Sequence, residues 1–180
     1  EAALMAGVSL VQYRRKQGND QQRLVEAQAL KTLCSRFGAL FIINDRIDLA
    51  LLVDADGVHL GQDDLPLSEA RQLLGPERLL GRSTHRLEHL LAAQQEGADY
   101  LGVGPVFATA TKRDRSPAGL SWVTEASRHA VLPWFAIGGI DAETIPSVRA
   151  AGAQRVAVVS AIMGSNDPEE ASRTLLQTLT

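Results

Sequence analysis

The chain has one cysteine, Cys34, among its 180 residues. A disulfide framework within the chain is excluded, and a cytoplasmic setting is expected. Cys34 lies in an amphipathic stretch and reads as a small buried residue rather than a reactive thiol. No HxH, HExxH or CxxC pattern occurs, and no Ser-His-Asp or Cys-His arrangement can be argued. No apolar run reaches the ~18 residues of a membrane span, and no signal peptide is expected. The net charge is −3 at pH 7, which does not suggest a nucleic-acid partner. Any positive field for an anionic ligand must therefore be local.

What remains is ordinary for a globular protein: 45% hydrophobic and 22% charged residues. This length needs no more than one domain, so residues 1–180 are read as one unit. Short apolar runs alternate with helical patterns. The runs are Val8–Tyr13, Ala39–Ile43, Gly57–Leu60, Leu79–Arg82, Tyr100–Val103, Trp134–Ile137 and Arg155–Val159. Between them, Gln21–Phe37 carries Leu24, Ala27, Leu30, Leu33 and Cys34 near helical spacing, and Leu87–Glu96 ends at Gly97. Asp141 marks a helix start after Ile140, and Asp167-Pro168-Glu169-Glu170 is a well-formed one.

Strand and helix alternating at this spacing imply βα units and a parallel sheet. Near-continuous apolar strands fit burial on both faces. Polar residues stand at nearly every strand exit: Gln12, Arg14 and Lys16; Asn44 and Asp45; Gln62 and Asp64; Ser83 and His85; Thr109 to Lys112; Gly138 and Gly139; Ser160. Such groups converge on one face in a (β/α)₈ barrel, whereas an open sheet uses mainly its switch-point loops. The expected fold is therefore a TIM barrel. Only seven strand-like runs are present, and Glu1–Gly7 reads as the end of a helix capped by Gly7. The first strand and most of the first helix are expected to be missing before Glu1.

The strand exits carry the candidate chemistry. Gln12, Arg14 and Lys16 alternate along one side of an extended segment and read either as a phosphate or diphosphate clamp or as solvated charges at a strand exit. Asp45 and Asp64 leave successive strands, and two carboxylates facing a diphosphate suit Mg²⁺. Each also fits as the cap of the following helix, and the sequence leaves both readings open. Asp48 and Asp63 look like surface residues. His85 serves as an acid or base, or holds a loop by hydrogen bonds. His59 reads as a core histidine, and His89 and His129 as surface residues on helices. Gly138-Gly139 follows a late strand, where backbone N–H groups can approach a phosphate closely. The Gly102–Lys112 loop offers two hydroxyls, an ammonium and accessible backbone, a donor set for anionic oxygens.

Taken in order, Gln12-Tyr13-Arg14-Arg15-Lys16, Ile43-Asn44-Asp45-Arg46, Asp56–Asp64, Gly81–His85, Gly102–Lys112, Ile137–Ile140 and Val156–Ser160 resemble thiamine phosphate synthase along nearly the whole chain. The resemblance implies a TIM barrel that joins a hydroxymethylpyrimidine diphosphate to a thiazole phosphate and releases diphosphate. On that resemblance Gln12, Arg14 and Lys16 match the diphosphate clamp, with Asn44 beside them. Asp45 and Asp64 match Mg²⁺ ligands. Ser83 and Lys112 match groups near the diphosphate and pyrimidine and are the candidates for a catalytic role. Thr109, Thr111, Gly139, Val159 and Ser160 match the thiazole phosphate side.

Some positions depart from the family pattern. Ala108 stands where proline is usual, Arg155 where glycine is usual, and Arg15 replaces the usual acid beside Lys16. Two other functions compete with the synthase reading. One is a thiazole tautomerase of the same superfamily, using His85 for proton transfer. The other is a barrel remnant that binds thiamine phosphates without turnover.

Overall fold

The protein is described here by a computed structural model covering residues 1–109 and 116–179. A parallel seven-stranded sheet runs in sequence order through β1 (Leu10–Tyr13), β2 (Leu40–Asn44), β3 (Gly57–Leu60), β4 (Leu79–Thr84), β5 (Tyr100–Val103), β6 (Trp134–Ile137) and β7 (Val156–Ala157). The helices between and around them are α1 (Ala2–Met5), α2 (Asp20–Arg36), α3 (Ile47–Leu52), α4 (Leu67–Leu74), α5 (Leu87–Gln95), α6 (Gly119–His129), α7 (Ile145–Ala150), α8 (Ser160–Met163) and α9 (Pro168–Leu179). Each apolar run expected to be a strand overlaps one, although only Val156 and Ala157 of the Arg155–Val159 run are strand. The architecture is α/β and TIM-like, with β1 and β7 at its two edges. None of the described helices is long and apolar enough to cross a membrane.

Alternation along the strands sorts their residues into two faces. Phe41 and Ile43, Val58 and Leu60, Leu80, and Leu101 and Val103 point outward into one apolar cluster with Ala27 of α2, Leu67 of α4, Leu90 of α5 and Trp122 of α6. Cys34 belongs to the same cluster and is fully buried, and burial raises its thiol pKa. A second cluster joins Val123 of α6, Ala136 of β6, Ile145 and Val148 of α7, and Leu175 of α9.

The opposite face carries the alternate residues. Register aligns Gln12 with Ile42 and Gly57, then Asn44 with His59, Gly81 and Tyr100, then Ser83 with Gly102 and Phe135. Inner positions thus become polar toward the carboxyl ends of the strands.

Two carboxylates staple the opposite end. Asp56 accepts the Phe41 amide at 2.7 Å and the Lys31 ammonium of α2 at 2.8 Å. Asp99 repeats the device two strands on, accepting the Leu80 amide at 2.7 Å and the Arg71 guanidinium of α4 at 2.6 Å. In both, the turn before a strand satisfies an amide of the preceding strand and ties in the helix that leads into that preceding strand.

Helix starts follow sequence logic where a side chain is free to cap. Asn19 accepts the Gln22 amide at 2.9 Å, and Asp167 accepts the Glu170 amide at 3.0 Å. The start expected at Asp141 is displaced: α7 begins at Ile145. The Asp141 carboxylate instead accepts the Glu143 and Thr144 amides and the Thr144 hydroxyl, closing a turn ahead of the helix.

Candidate active site

The candidate residues that are described lie at the carboxyl edge of the sheet. Gln12 is exposed on the inner face of β1, with half-buried Arg14 just beyond and exposed Lys16 after it. Arg14 Nε is buried without a hydrogen-bond partner among the described residues. A buried guanidinium nitrogen left in that state is matched by an anionic ligand.

This segment is fixed from behind by α2. The Tyr13 hydroxyl donates to Glu26 at 2.8 Å, and Arg15 pairs with the same carboxylate. Arg15, the departure beside Lys16, is thereby drawn outward onto Glu26. Arg23 donates to the carbonyls of Arg15 at 3.3 Å and Lys16 at 3.0 Å, and pairs with Asp20 at 2.8 Å. Asp20 also binds Arg46 at 2.9 Å, and Arg46 pairs with Asp48 at 2.6 Å. These bonds hold both carboxyls below the ordinary aspartate pKa, with the Arg46 hydrogen bond the largest cause in each. The first strand exit is thus tied to the second. Sequence reasoning did not find this bracing, because pairs 11 and 26 residues apart leave no local pattern.

Asn44 ends β2, and Asp45 follows with φ 64°, donating its amide to the His59 carbonyl at 2.9 Å. Asp45 is exposed and Asp64 half-buried. The residues at the starts of α3 and α4, Arg46 and Pro66, supply no side-chain cap of their own. One Asp64 oxygen accepts the Gly61 amide at 2.6 Å and closes the turn after β3; the other has no partner among the described residues. No group of three or more His, Cys, Asp or Glu able to hold a metal occurs among the described residues. Two carboxylates with the oxygens of a phosphorylated ligand and water are a donor set that fits Mg²⁺.

Ser83 is buried on β4, where its Oγ lies 2.9 Å from His59 Nε2. His59 Nδ1 lies 3.1 Å from the Tyr100 hydroxyl. His59 is thus the core histidine expected, and it also contacts a candidate site residue. Tyr100 carried no expectation. Its signal in the sequence is the strand glycine Gly81, which marks close approach of a bulky neighbour, as Gly102 does for His59. Gln62 adds a bond from its side-chain nitrogen to the Ser83 carbonyl at 2.6 Å.

His85 Nδ1 donates to the Gly104 carbonyl, which favours the loop-holding role. His89 is not the surface residue expected: it is half-buried and meets the His85 ring edge-on at 5.8 Å. His129, Asp48 and Asp63 are exposed as expected.

Gly138 and Gly139 have φ 96° and 66°. Their need for glycine is also one of packing. A Cβ on Gly139 would stand 2.6 Å from the Ala108 carbonyl oxygen, and one on Gly138 2.6 Å from Pro105 Cβ. The β5 exit is laced onto the β6 exit here, with the Val106 and Phe107 amides donating to Ile137 and Gly138. Thr109 is half-buried beyond that lacing. Val159 and Ser160 are exposed at the start of α8. Arg155 is exposed too, and its carbonyl simply accepts the Ala136 amide at 2.9 Å. Ala108 is also exposed. Thr111 and Lys112 lie outside the described residues.

The family described as thiamine monophosphate synthase matches residues 1–162. The chain is 93% identical over 179 residues to the thiamine-phosphate synthase of Synechococcus sp. (strain CC9311), covering 99% of this chain and 51% of that protein. It is 71% identical to the synthase of Synechococcus sp. (strain WH7803), covering all of this chain and 51% of that protein. The chain spans about half the length of the curated relatives it matches. Among solved structures, a thiamine phosphate pyrophosphorylase from Pyrococcus furiosus superposes with a TM-score of 0.92 at 36% identity, over 99% of this chain and 86% of that one. A 3-hexulose-6-phosphate synthase, at 19% identity and a TM-score of 0.71 over 99% of this chain and 94% of that one, shares the fold alone.

Proposed function

Because the chain belongs to the thiamine monophosphate synthase family, we propose that it is a transferase joining hydroxymethylpyrimidine diphosphate to a thiazole phosphate. The products are thiamine phosphate and diphosphate, and the setting is cytoplasmic. Residues 1–180 are read as a single (β/α) barrel domain. Packing of α1 against α9 supports this, because it brings the first and last helices together around the sheet.

The observation that carries the reading is the rim itself. Cationic, carboxylate and hydroxyl groups follow one another along adjacent strand exits, and Arg14 Nε is buried there without a partner. The carbon–oxygen bond to diphosphate breaks, and both electrons leave with the diphosphate. The activated carbon becomes cation-like, and the thiazole nitrogen supplies its lone pair to the new carbon–nitrogen bond. No protein nucleophile is needed. Catalysis comes from holding two substrates in line and neutralising the leaving group.

Each residue has a part in this reading. Gln12, Arg14, Lys16 and Asn44 bind the diphosphate. Ser83 and Lys112 lie beside the breaking bond. Thr109, Thr111, Gly139, Val159 and Ser160 receive the thiazole phosphate. Asp45 and Asp64 are the residues that would hold Mg²⁺. When bound, the cation offsets charge on the diphosphate oxygens.

The test is incubation of purified protein with Mg²⁺ and both substrates, read by mass spectrometry. Thiamine phosphate is the expected product. Conversion of a thiazole tautomer instead, lost in His85→Ala, would assign the tautomerase activity. Binding of both substrates with no product would assign the binding remnant.

A further inference from the structure

Three buried side chains from three consecutive strands form a directed chain of hydrogen bonds beneath the rim. Tyr100 on β5 meets His59 Nδ1 on β3 at 3.1 Å, and His59 Nε2 meets Ser83 Oγ on β4 at 2.9 Å. All three residues are less than a tenth exposed. Strand glycines make the room. A Cβ on Gly81 would fall 2.2 Å from the Tyr100 ring, and one on Gly102 would fall 3.2 Å from the His59 ring.

The direction of the chain follows from its buried end. Burial raises the Tyr100 pKa well above that of an ordinary phenol, so the hydroxyl keeps its proton. Among the described residues the only acceptor for that proton is His59 Nδ1. A buried hydroxyl left without an acceptor is costly. Nδ1 therefore carries the lone pair, and the ring hydrogen sits on Nε2. That N–H donates to Ser83 Oγ. Ser83 Oγ has no other partner among the described residues, so its own hydrogen points onward.

We infer that Tyr100 is a positioning residue which, through one fixed tautomer of His59, makes Ser83 a hydrogen-bond donor to the diphosphate oxygen departing from the pyrimidine. The inference rests on the synthase reading for the identity of that acceptor. The direction of the relay rests only on the residues themselves. A serine free to rotate presents a hydrogen or a lone pair; the relay removes that choice before substrate arrives. Preorganisation of this kind favours the transition state, where charge on the leaving oxygen is largest.

The first measurement needs no substrate. Nitrogen-15 NMR of the His59 ring, assigned with His59→Gln, is expected to show a neutral imidazole protonated at Nε2. In Tyr100→Phe, which keeps the ring that lies over Gly81, the spectrum should shift toward a mixture of tautomers. Protonation at Nδ1 in the unaltered protein would overturn the relay, whatever the variants do.

The second measurement is a double-mutant cycle on turnover. Tyr100→Phe is expected to lower kcat roughly ten-fold with KM little changed, as for one lost transition-state hydrogen bond. In a Ser83→Ala background the same change should add almost nothing. Losses that multiply would overturn the positioning role. If the unaltered protein makes no thiamine phosphate, the synthase reading fails, and the His59 spectrum alone decides the relay.

Discussion

Gly81 lies directly against the ring of Tyr100: a Cβ built on the glycine would come within 2.2 Å of Cζ and 2.5 Å of the hydroxyl oxygen. The two residues are register partners on β4 and β5, so the ring leans across its neighbour instead of standing upright. Its other face is bounded by Phe135, edge-on at 5.9 Å. The ring has nowhere to retreat. Gly81→Ala is expected to destabilise the protein by about 1–3 kcal/mol, the usual cost of overpacking. Urea unfolding monitored by circular dichroism checks this.

Asp56 is expected to matter more than its ion pair suggests. Asp56→Ala removes the acceptor of the Phe41 amide, and Phe41 is fully buried. An unsatisfied backbone donor there costs about 1–3 kcal/mol. Lys31→Met removes only a part-exposed pair and should cost less than about 1 kcal/mol. Equal losses in urea unfolding would show that the pair, and not the amide bond, holds the turn.

The Arg46 cluster gives a pH dependence with a definite sign. Asp20 and Asp48 are held below their ordinary value of 3.8, chiefly by hydrogen bonds from Arg46. A depressed carboxyl contributes stability that is fully present above its unfolded pKa and is lost as pH falls through its folded pKa. Arg46→Gln should therefore be less stable than the unaltered protein at pH 7. The gap should close as pH falls below 3.8. Thermal melts across that range measure it; a gap that widens in acid would assign the cluster another role.

Asp45 and Asp64 are the two carboxylates that would hold the cation. Asp64 also closes the turn through the Gly61 amide at 2.6 Å. Asp45→Ala should lower turnover and raise the Mg²⁺ needed for half-maximal rate on the order of 10- to 100-fold. Asp64→Ala should do the same, and loss of the bond from the Gly61 amide should lower the melting temperature. An unchanged Mg²⁺ titration would remove Asp45 from the metal site.

Much of the fold is legible in the residues. All seven apolar runs overlap strands, because parallel strands buried on both faces leave a nearly unbroken apolar signal. The rim is legible for the same reason, since polar residues begin where those runs stop. What escaped depends on partners distant in sequence. Tyr100 sits within an apolar run and looks like any core aromatic until Gly81 and His59 are beside it. Arg15 reads as a departure until Glu26 answers it from α2. The α7 boundary was misplaced because an aspartate after a strand looks the same whether it caps a helix or closes a turn.

The central claim is that this rim binds both substrates and couples them, and the stoichiometry of one reaction tests it most directly. Thiamine phosphate and diphosphate should appear in equal amounts when protein, Mg²⁺, pyrimidine diphosphate and thiazole phosphate are mixed. Arg14→Ala should slow both together by about 100-fold, the scale of losing a preorganised charge contact. Diphosphate released without thiamine phosphate, or neither product from a folded protein, would contradict the account.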